Sequence, residues 1–446
     1  MYCKNEGMKF YNREIEIKKL NEIEKISKKN AQMTLIIGRR RIGKTTLLTH
    51  VFPINKSLYF FIAKKNEALL CEEFTLQIEE KLSVKSYGKV NAFKDLFAWI
   101  MELSQTRSFT LIIDEFQEFT TVNPSVYSDI QNIWDNNKRQ NKLNLILCGS
   151  IYSIMKRIFE NSKEPLFGRA NHKFIIRPFT TKTLEVILSD YLPNYTSKEL
   201  FNFYLFTGGV AKYIEIFIEL KSLKYNQFID TILSDNSYFL EEGRAVLIEK
   251  FGKDYGNHFS ILSLIASGKT SRVEIESILE MQTGGFLDRL ENYNIIKKIR
   301  PILSKPNSRA VKYKIEDNFL IFWFRFIYKY KSAIEIQNYD YLKQIINRDY
   351  DIFAGTILEK YFQEKLKETK KFNQIGNYWE MGNKNEIDIV AINDMEKKVL
   401  IAEVKLNPKN ISITTLKQKA INIEQKLSSY TFEYRGLSLN DVGKSI

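Results

Sequence analysis

Apolar and polar positions along this chain follow two regimes. Between about residue 30 and residue 178, short and nearly unbroken apolar runs alternate with longer stretches at helical spacing. The runs cover 34–37, 57–62, 109–117, 141–150 and 173–177, and several end in a polar or acidic residue. Strands covered on both faces read as continuous apolar runs, so this order predicts a parallel sheet with helices on both sides. Charged helical sequence fills 66–82 and 91–103, and Ile15, Ile17, Leu20 and Ile23 suit a short helix before the first strand. From 180 to 240 the pattern is helical, with 184–192 and 230–240 expected as lid helices. Two adjacent glycines, Gly208 and Gly209, imply a turn or a close backbone approach inside it. Three short helices at 259–266, 272–279 and 285–293 then precede strands at 294–299 and 310–315, a winged-helix order. The third helix carries Asp288 and Glu291 against Arg289, whereas the wing carries Lys297, Lys298, Arg300 and Lys305. The module is therefore read as packing or contacting a phosphate backbone, not as reading bases. The aromatic stretch 318–330 is expected as a core or inter-domain helix; base stacking is the less simple account.

Composition adds three limits. With 446 residues the chain is long enough for about three domains. No apolar run approaches the ~18 residues of a membrane span, and Met1–Gly7 is polar, without a leader's apolar region. Cys3, Cys71 and Cys148 are isolated and the three histidines are scattered. Neither a disulfide framework nor a zinc site is expected, and a cytoplasmic location is. The formal charge of +14 favours contact with polyanions, above all nucleic acid; a lysine-rich solvated surface is the alternative.

Chemistry enters at 34–46. Gly38 and Gly43 with Lys44 and Thr45 complete the pattern G-x-x-x-x-G-K-[ST], after a strand and before a helix. Glycines allow the tight turn that points successive N–H groups of Gly38, Arg39, Arg40, Arg41, Ile42, Gly43, Lys44, Thr45 and Thr46 at a triphosphate. Lys44 is expected on the β/γ-phosphates and the Thr45 hydroxyl on Mg²⁺, with the helix dipole assisting. Arg13, at the start of the first helix, is a further candidate nucleotide contact. About seventy residues on, the third apolar run ends in Asp114-Glu115. Asp114 is expected to hold Mg²⁺ and Glu115 to act as the base for the attacking water. Ser150 closes the fourth strand, where a γ-phosphate sensor belongs. Arg169 is a candidate arginine finger, or else a turn residue with a surface charge.

The second constellation lies at 377–406. A polar turn, 393–398, separates two strands. Pairing about a centre between Met395 and Glu396 sets 388 opposite 403 and 386 opposite 405. Alternation then places Glu386, Asp388, Glu403 and Lys405 on one face. Two carboxylates and a lysine arranged so can hydrolyse phosphodiesters. Asp388 and Glu403 would coordinate Mg²⁺, Lys405 would orient or deprotonate water, and Glu359 on a helix at 351–367 could complete the metal site. A charged sheet face held by cross-strand ion pairs is the competing account.

These residues resemble a known family. Residues 10–20, Gly38–Thr45 with Arg39, Arg40 and Arg41, Leu111–Glu115, Cys148–Ser150, Gly168-Arg169 and Thr207-Gly-Gly209 are similar to the archaeal-type P-loop ATPases, a branch of AAA+ proteins close to the STAND regulators. Asp388…Glu403-x-Lys405, with Glu359, resembles the accompanying domain of unknown function, whose core is similar to PD-(D/E)XK nucleases. Ile387 stands where proline is usual, and Gln418-Lys419 approximates the following helix motif. The resemblance implies an α/β fold: an AAA+-like parallel sheet (1–178), a helical lid (179–250), a winged-helix module (251–316) and a small restriction-endonuclease-like domain (317–446). It implies ATP and Mg²⁺ as cofactors, DNA or another nucleic acid as partner, and self-association as a further option. The implied activity is an ATPase coupled to a metal-dependent nuclease-like domain; the alternative is a STAND-like switch that binds without cleaving.

Overall fold

The computed structural model describes residues 8–86, 88–251 and 255–446. Met1–Gly7, read above as lacking a leader, and Cys3 lie outside the described residues, as do 252–254 beside the expected cut at 250. The chain divides into two compact units, Asn12–Arg177 and a second that joins the N-terminal residues to Pro178–Ile446. The stretches expected as lid, winged helix and C-terminal domain all belong to the second unit.

The first unit is a parallel sheet of five strands: β1 (Gln32–Ile37), β2 (Leu58–Phe61), β3 (Phe109–Asp114), β4 (Leu143–Gly149) and β5 (His172–Ile175). Their order is β2-β3-β4-β1-β5, with every pair parallel. All seven residues of β4 are buried, as are all but the first of β1 and β3. Helices on both faces therefore explain the continuous apolar runs. Phe60 stacks on Phe74 at 4.1 Å, and Trp134, Phe97 and Leu145 are fully enclosed in the same core. Cys71 and Cys148 are buried free thiols.

The second unit opens with helices Thr181–Tyr191, Ser197–Thr207, Ala211–Glu219, Tyr225–Ile232 and Tyr238–Phe251. Helices Tyr255–Ala266, Arg272–Leu279 and Gly284–Asn292 follow, then the antiparallel hairpin β6 (Ile296–Ile299) and β7 (Lys312–Ile315). The aromatic stretch is not one regular helix. Asn318–Phe322 is α-helical and Trp323–Tyr328 continues as π-helix. Its rings are core: Phe319, Phe322 and Phe324 are fully buried. Trp323 lies so close to Gly243 that a Cβ there would meet its ring at 2.2 Å, and its indole N–H donates to the carbonyl of Leu240 at 2.8 Å.

The helix expected over 351–367 runs much longer, Tyr339–Thr369. It packs on a four-stranded sheet of order β11-β10-β9-β8, where β8 is Gln374–Tyr378, β9 Ile387–Asn393, β10 Lys398–Lys405 and β11 Thr431–Ser438. β8, β9 and β10 are antiparallel neighbours, and helix Ile413–Lys426 returns the chain to pair β11 parallel to β10. The wing does not stand free: Ile302 N–H donates to the carbonyl of Asn377 at 2.8 Å, and Ile302 and Leu303 pack on the core around Tyr378 and Val390. Among the described residues no helix is long and apolar enough to cross a membrane.

Candidate functional site

The first candidate site sits at the C-terminal ends of β1, β3 and β4. Gly38 leaves β1 so close to the neighbouring backbone that a Cβ would meet the carbonyl oxygen of Ile176 at 2.9 Å. Arg41 and Gly43 take positive φ, 70° and 92°, which closes the loop and starts helix Lys44–Val51. Ile42 is buried beneath the loop, while Arg39 and Arg41 are half-buried and Arg40, Thr45 and Thr46 are exposed. The Lys44 ammonium donates to the carbonyls of Gly38 at 2.7 Å and Arg39 at 3.0 Å. It is thus held by the loop's own backbone.

Asp114 receives donors on both oxygens. Thr45 Oγ1 donates to Oδ2 at 3.2 Å, the Tyr59 hydroxyl donates to the same atom, and the Glu115 N–H donates to Oδ1 at 2.9 Å. The Tyr59 hydroxyl is pushed well above its ordinary value by burial and then by Asp114, and burial with Asp114 also raises the Cys148 thiol. Glu115 takes a left-handed backbone, φ 53°, at the end of β3. Its Oε2 accepts from Ser150 Oγ at 2.8 Å and from the Gln117 amide. A hydroxyl facing a carboxylate is a hard oxygen donor pair that suits Mg²⁺.

Two candidates fall elsewhere in this unit. Arg13 is buried, donates to the carbonyl of Arg177 at 2.5 Å and lies 3.6 Å from Glu16, so it fastens the first helix to the chain leaving β5. Arg169 is held by Asp135 at 3.1 Å and by the carbonyl of Phe167 at 2.8 Å. To act as a finger it must first leave Asp135.

The second candidate site is built by the β9–β10 hairpin. Its register pairs Ile389 with Ala402 and Val390 with Ile401, which puts Asp388 beside Glu403. The Val404 N–H donates to Asp388 Oδ2 at 2.8 Å. Lys405 Nζ lies 3.6 Å from Asp388 and 3.7 Å from Glu403. From helix Ile413–Lys426, Lys419 reaches Glu403 at 3.7 Å, and the Ser412 N–H donates to the other oxygen of Glu403 at 3.1 Å. Asn377 and Gln363 donate to the Asp388 carbonyl at 2.8 and 3.2 Å, fixing the strand from below. Burial raises the Asp388 carboxyl, against the opposing pull of the Val404 N–H and Lys405.

The face predicted to carry Glu386, Asp388, Glu403 and Lys405 is thus assembled only in part. Glu386 leaves the group for Lys312 of β7 at 2.8 Å. Glu359, offered above as the third metal carboxylate, turns to Lys314 of β7 at 3.9 Å. Burial pushes its carboxyl up to about 7, with Lys314 opposing. Among the described residues, no three His, Cys, Asp or Glu side chains are grouped to hold a metal ion. The oxygen donors that fit a hard cation here are Asp388 and Glu403, with Lys405 between them. The hairpin lysines, unseen from sequence spacing, are the reason the other two acids are drawn away.

Some site residues had no motif to mark them. Tyr59 lies inside β2, opposite Ile112, and its hydroxyl reaches Asp114 from the neighbouring strand; Gln117 lies three residues beyond Asp114. Tyr59 sits inside the apolar run 57–62, and its hydroxyl, which needs a partner when buried, is the signal that could have found it. Asn377 and Gln363 carry no such signal.

Comparison with known proteins agrees with this layout. Residues 10–217 match a family described as an ATPase domain predominantly from Archaea, and residues 323–424 match archaeal and bacterial proteins of unknown function. The chain is 30% identical over 406 residues to the uncharacterized protein MJECL04 of Methanocaldococcus jannaschii, covering 89% of this chain and 87% of that one. Among solved structures it is similar to the Walker-type ATPase paby2304 of Pyrococcus abyssi, with TM-score 0.55 and 18% identity, over 71% of this chain and 96% of that chain. At that identity the likeness concerns the fold.

Proposed function

The chain belongs to the archaeal-type ATPases with this C-terminal domain, and we propose that it hydrolyses ATP to control a nuclease-like domain acting on nucleic acid. The observation that carries the ATPase half is the Thr45–Asp114 contact of 3.2 Å beside Glu115 and Ser150. On binding ATP, Lys44 would exchange two backbone carbonyls for phosphate oxygens, a stronger charge-assisted contact. The loop N–H groups and the helix start would take the remaining phosphate charge. Thr45 and Asp114 would hold Mg²⁺, which when bound neutralises charge on the phosphates. Glu115, oriented by Ser150 and Gln117, would hold the attacking water and take its proton.

In the C-terminal domain, Asp388 and Glu403 would hold a divalent cation, which polarises a phosphodiester when bound. Lys405 would orient the water or take its proton. A second reading has one specific support. Lys405 already sits against both carboxylates and Lys419 against Glu403, at 3.6–3.7 Å. A domain so neutralised could bind a strand without cutting it, leaving the protein a nucleotide switch. One preparation of the full chain separates the readings: phosphate release from ATP, and cleavage of labelled DNA with Mg²⁺ or Mn²⁺. Cleavage lost in Asp388→Asn supports the nuclease reading; cleavage at the parent rate in that variant excludes it.

A further inference from the structure

A cavity of about 460 Å³ lies within the second unit, between the β6–β7 hairpin, the π-helical turn, helix Tyr339–Thr369 and β8. It falls within the ~300–1,000 Å³ typical of small-ligand sites. Its wall carries six cationic side chains and five carboxylates, next to Trp379. Lys312, Lys314 and Lys360 are taken up by Glu386, Glu359 and Glu364, which leaves Lys297 and Lys367 as the lysines facing the space. Of the carboxylates, Glu316 lies near enough to act on Lys367, and the other four are engaged: Glu274 accepts from the Ser271 hydroxyl at 2.8 Å. Glu386 lies on Lys312 at 2.8 Å, Glu359 on Lys314 at 3.9 Å, and Glu364 accepts from the Tyr204 hydroxyl at 2.7 Å. Lys297 and Lys367, from opposite walls, are both exposed to solvent. They are close enough for Lys297 to depress the Lys367 ammonium, after burial. Two like charges facing one cavity favour an anion that neutralises both.

The cavity also adjoins the acidic site. Gln363 and Asn377, which line it, are the two side chains that donate to the Asp388 carbonyl. Glu359, also on its wall, feels the charges of Asp388 and Lys405. A ligand held there is therefore separated from Asp388 by the side chains of Gln363 and Asn377.

We propose that this cavity is the receiving groove for one strand of nucleic acid, whose phosphates Lys297 and Lys367 contact and whose chain leads to Asp388. The inference rests on the nuclease-like reading for its destination but not for its binding. Positive grooves that follow a backbone are the common device for single strands. A duplex, wider across than its own ~12 Å major groove, is too large to enter a cavity of about 460 Å³, which has room for part of a single strand. The substrate class is thus a single strand or a frayed end.

The test uses the full chain in EDTA, so that nothing is cut. Fluorescence anisotropy is read with eight-nucleotide single-stranded DNA, the same sequence as RNA, and a blunt duplex, across a salt series. The inference expects single strands to bind at least tenfold more tightly than duplex. Lys297→Ala with Lys367→Ala should weaken single-strand binding about tenfold and reduce the salt slope by about two, one for each phosphate no longer neutralised. As a charge-matched control, Lys18→Ala with Lys25→Ala on helix Glu14–Ser27 should change binding less than twofold. The milder pair Lys297→Gln and Lys367→Gln guards against misfolding and should show the same weakening. DNA and RNA are distinguished by their own affinities. Duplex binding as tight as single-strand binding, or equal weakening in the control pair, overturns the inference. Strand binding with these signatures but no cleavage in Mn²⁺ sinks the nuclease reading alone. Cleavage that is indifferent to Lys297 and Lys367 sinks the groove alone.

Discussion

The two candidate sites treat acid and base in opposite ways. At the P-loop the lysine and the aspartate are kept apart: Lys44 is held by backbone carbonyls, and Asp114 by hydroxyls of Thr45 and Tyr59. In the C-terminal domain they are pressed together, with Lys405 against Asp388 and Glu403 and Lys419 against Glu403. Exchanging a carbonyl for a phosphate costs Lys44 little, because both are oxygen acceptors and the phosphate is charged. Displacing Lys405 means separating it from two partly buried carboxylates, which leaves charge uncompensated. The first arrangement is ready for its ligand; the second is self-neutralised until one arrives.

The largest expected effect tests the readiness of the first site. Lys44→Ala should lower ATP turnover by about 10²–10³-fold, the scale of losing one preorganised charge donor. Phosphate release at saturating ATP reads it, and turnover within threefold of the parent would mean the Lys44–carbonyl arrangement is structural. Glu115→Gln should reduce turnover by about 10²-fold while ATP still binds, as expected for a general base. A nucleotide-binding titration run beside the turnover assay separates it from Lys44→Ala.

A smaller effect concerns the residues that aim Glu115. Ser150→Ala removes one hydrogen bond to a charged group, worth about 1.5–3 kcal/mol, so turnover should fall roughly tenfold with unchanged ATP affinity. The smallest sharpens the contrast in self-neutralisation. Glu359 has a folded pKa raised to about 7 by burial. The native state then binds more protons than the unfolded chain between the ordinary glutamate range and about pH 7. The contribution to stability is therefore present below that range and is lost as pH rises through about 7. In EDTA, Glu359→Gln should raise the unfolding free energy at pH 8 by on the order of 1 kcal/mol, read as a higher melting temperature, and leave it unchanged near pH 4. A loss of stability at pH 8 would mean that Lys314, which favours the charged form, and not burial, governs this carboxyl.

The two sites were also unequally legible. The β9–β10 register follows from the chain alone because a tight turn fixes pairing by counting, and 388 falls opposite 403 whatever surrounds it. What the count missed is Glu386 and Glu359, which leave for Lys312 and Lys314, more than forty residues away in sequence. Arg13 and Arg169 show the same limit: spacing reports a residue type, while Arg177 and Asp135 hold the guanidinium in this structure.

By itself, then, the sequence determined what is local: the glycine-bearing loop, the strand ends Asp114-Glu115 and Ser150, the three helices before the hairpin, and the β9–β10 pairing. These depend on backbone freedom, strand alternation and turn length, which act over a few residues. Only the tertiary structure decided what is distant. Parallel strands joined by long crossovers bring Tyr59 and Thr45 to Asp114 and Ser150 to Glu115. The docked wing brings Lys297 to the cavity across from Lys367 of the long helix, because Ile302 and Leu303 find apolar cover on the C-terminal sheet. Burial of those two side chains is favourable wherever it occurs, so no local pattern could say where the wing would come to rest.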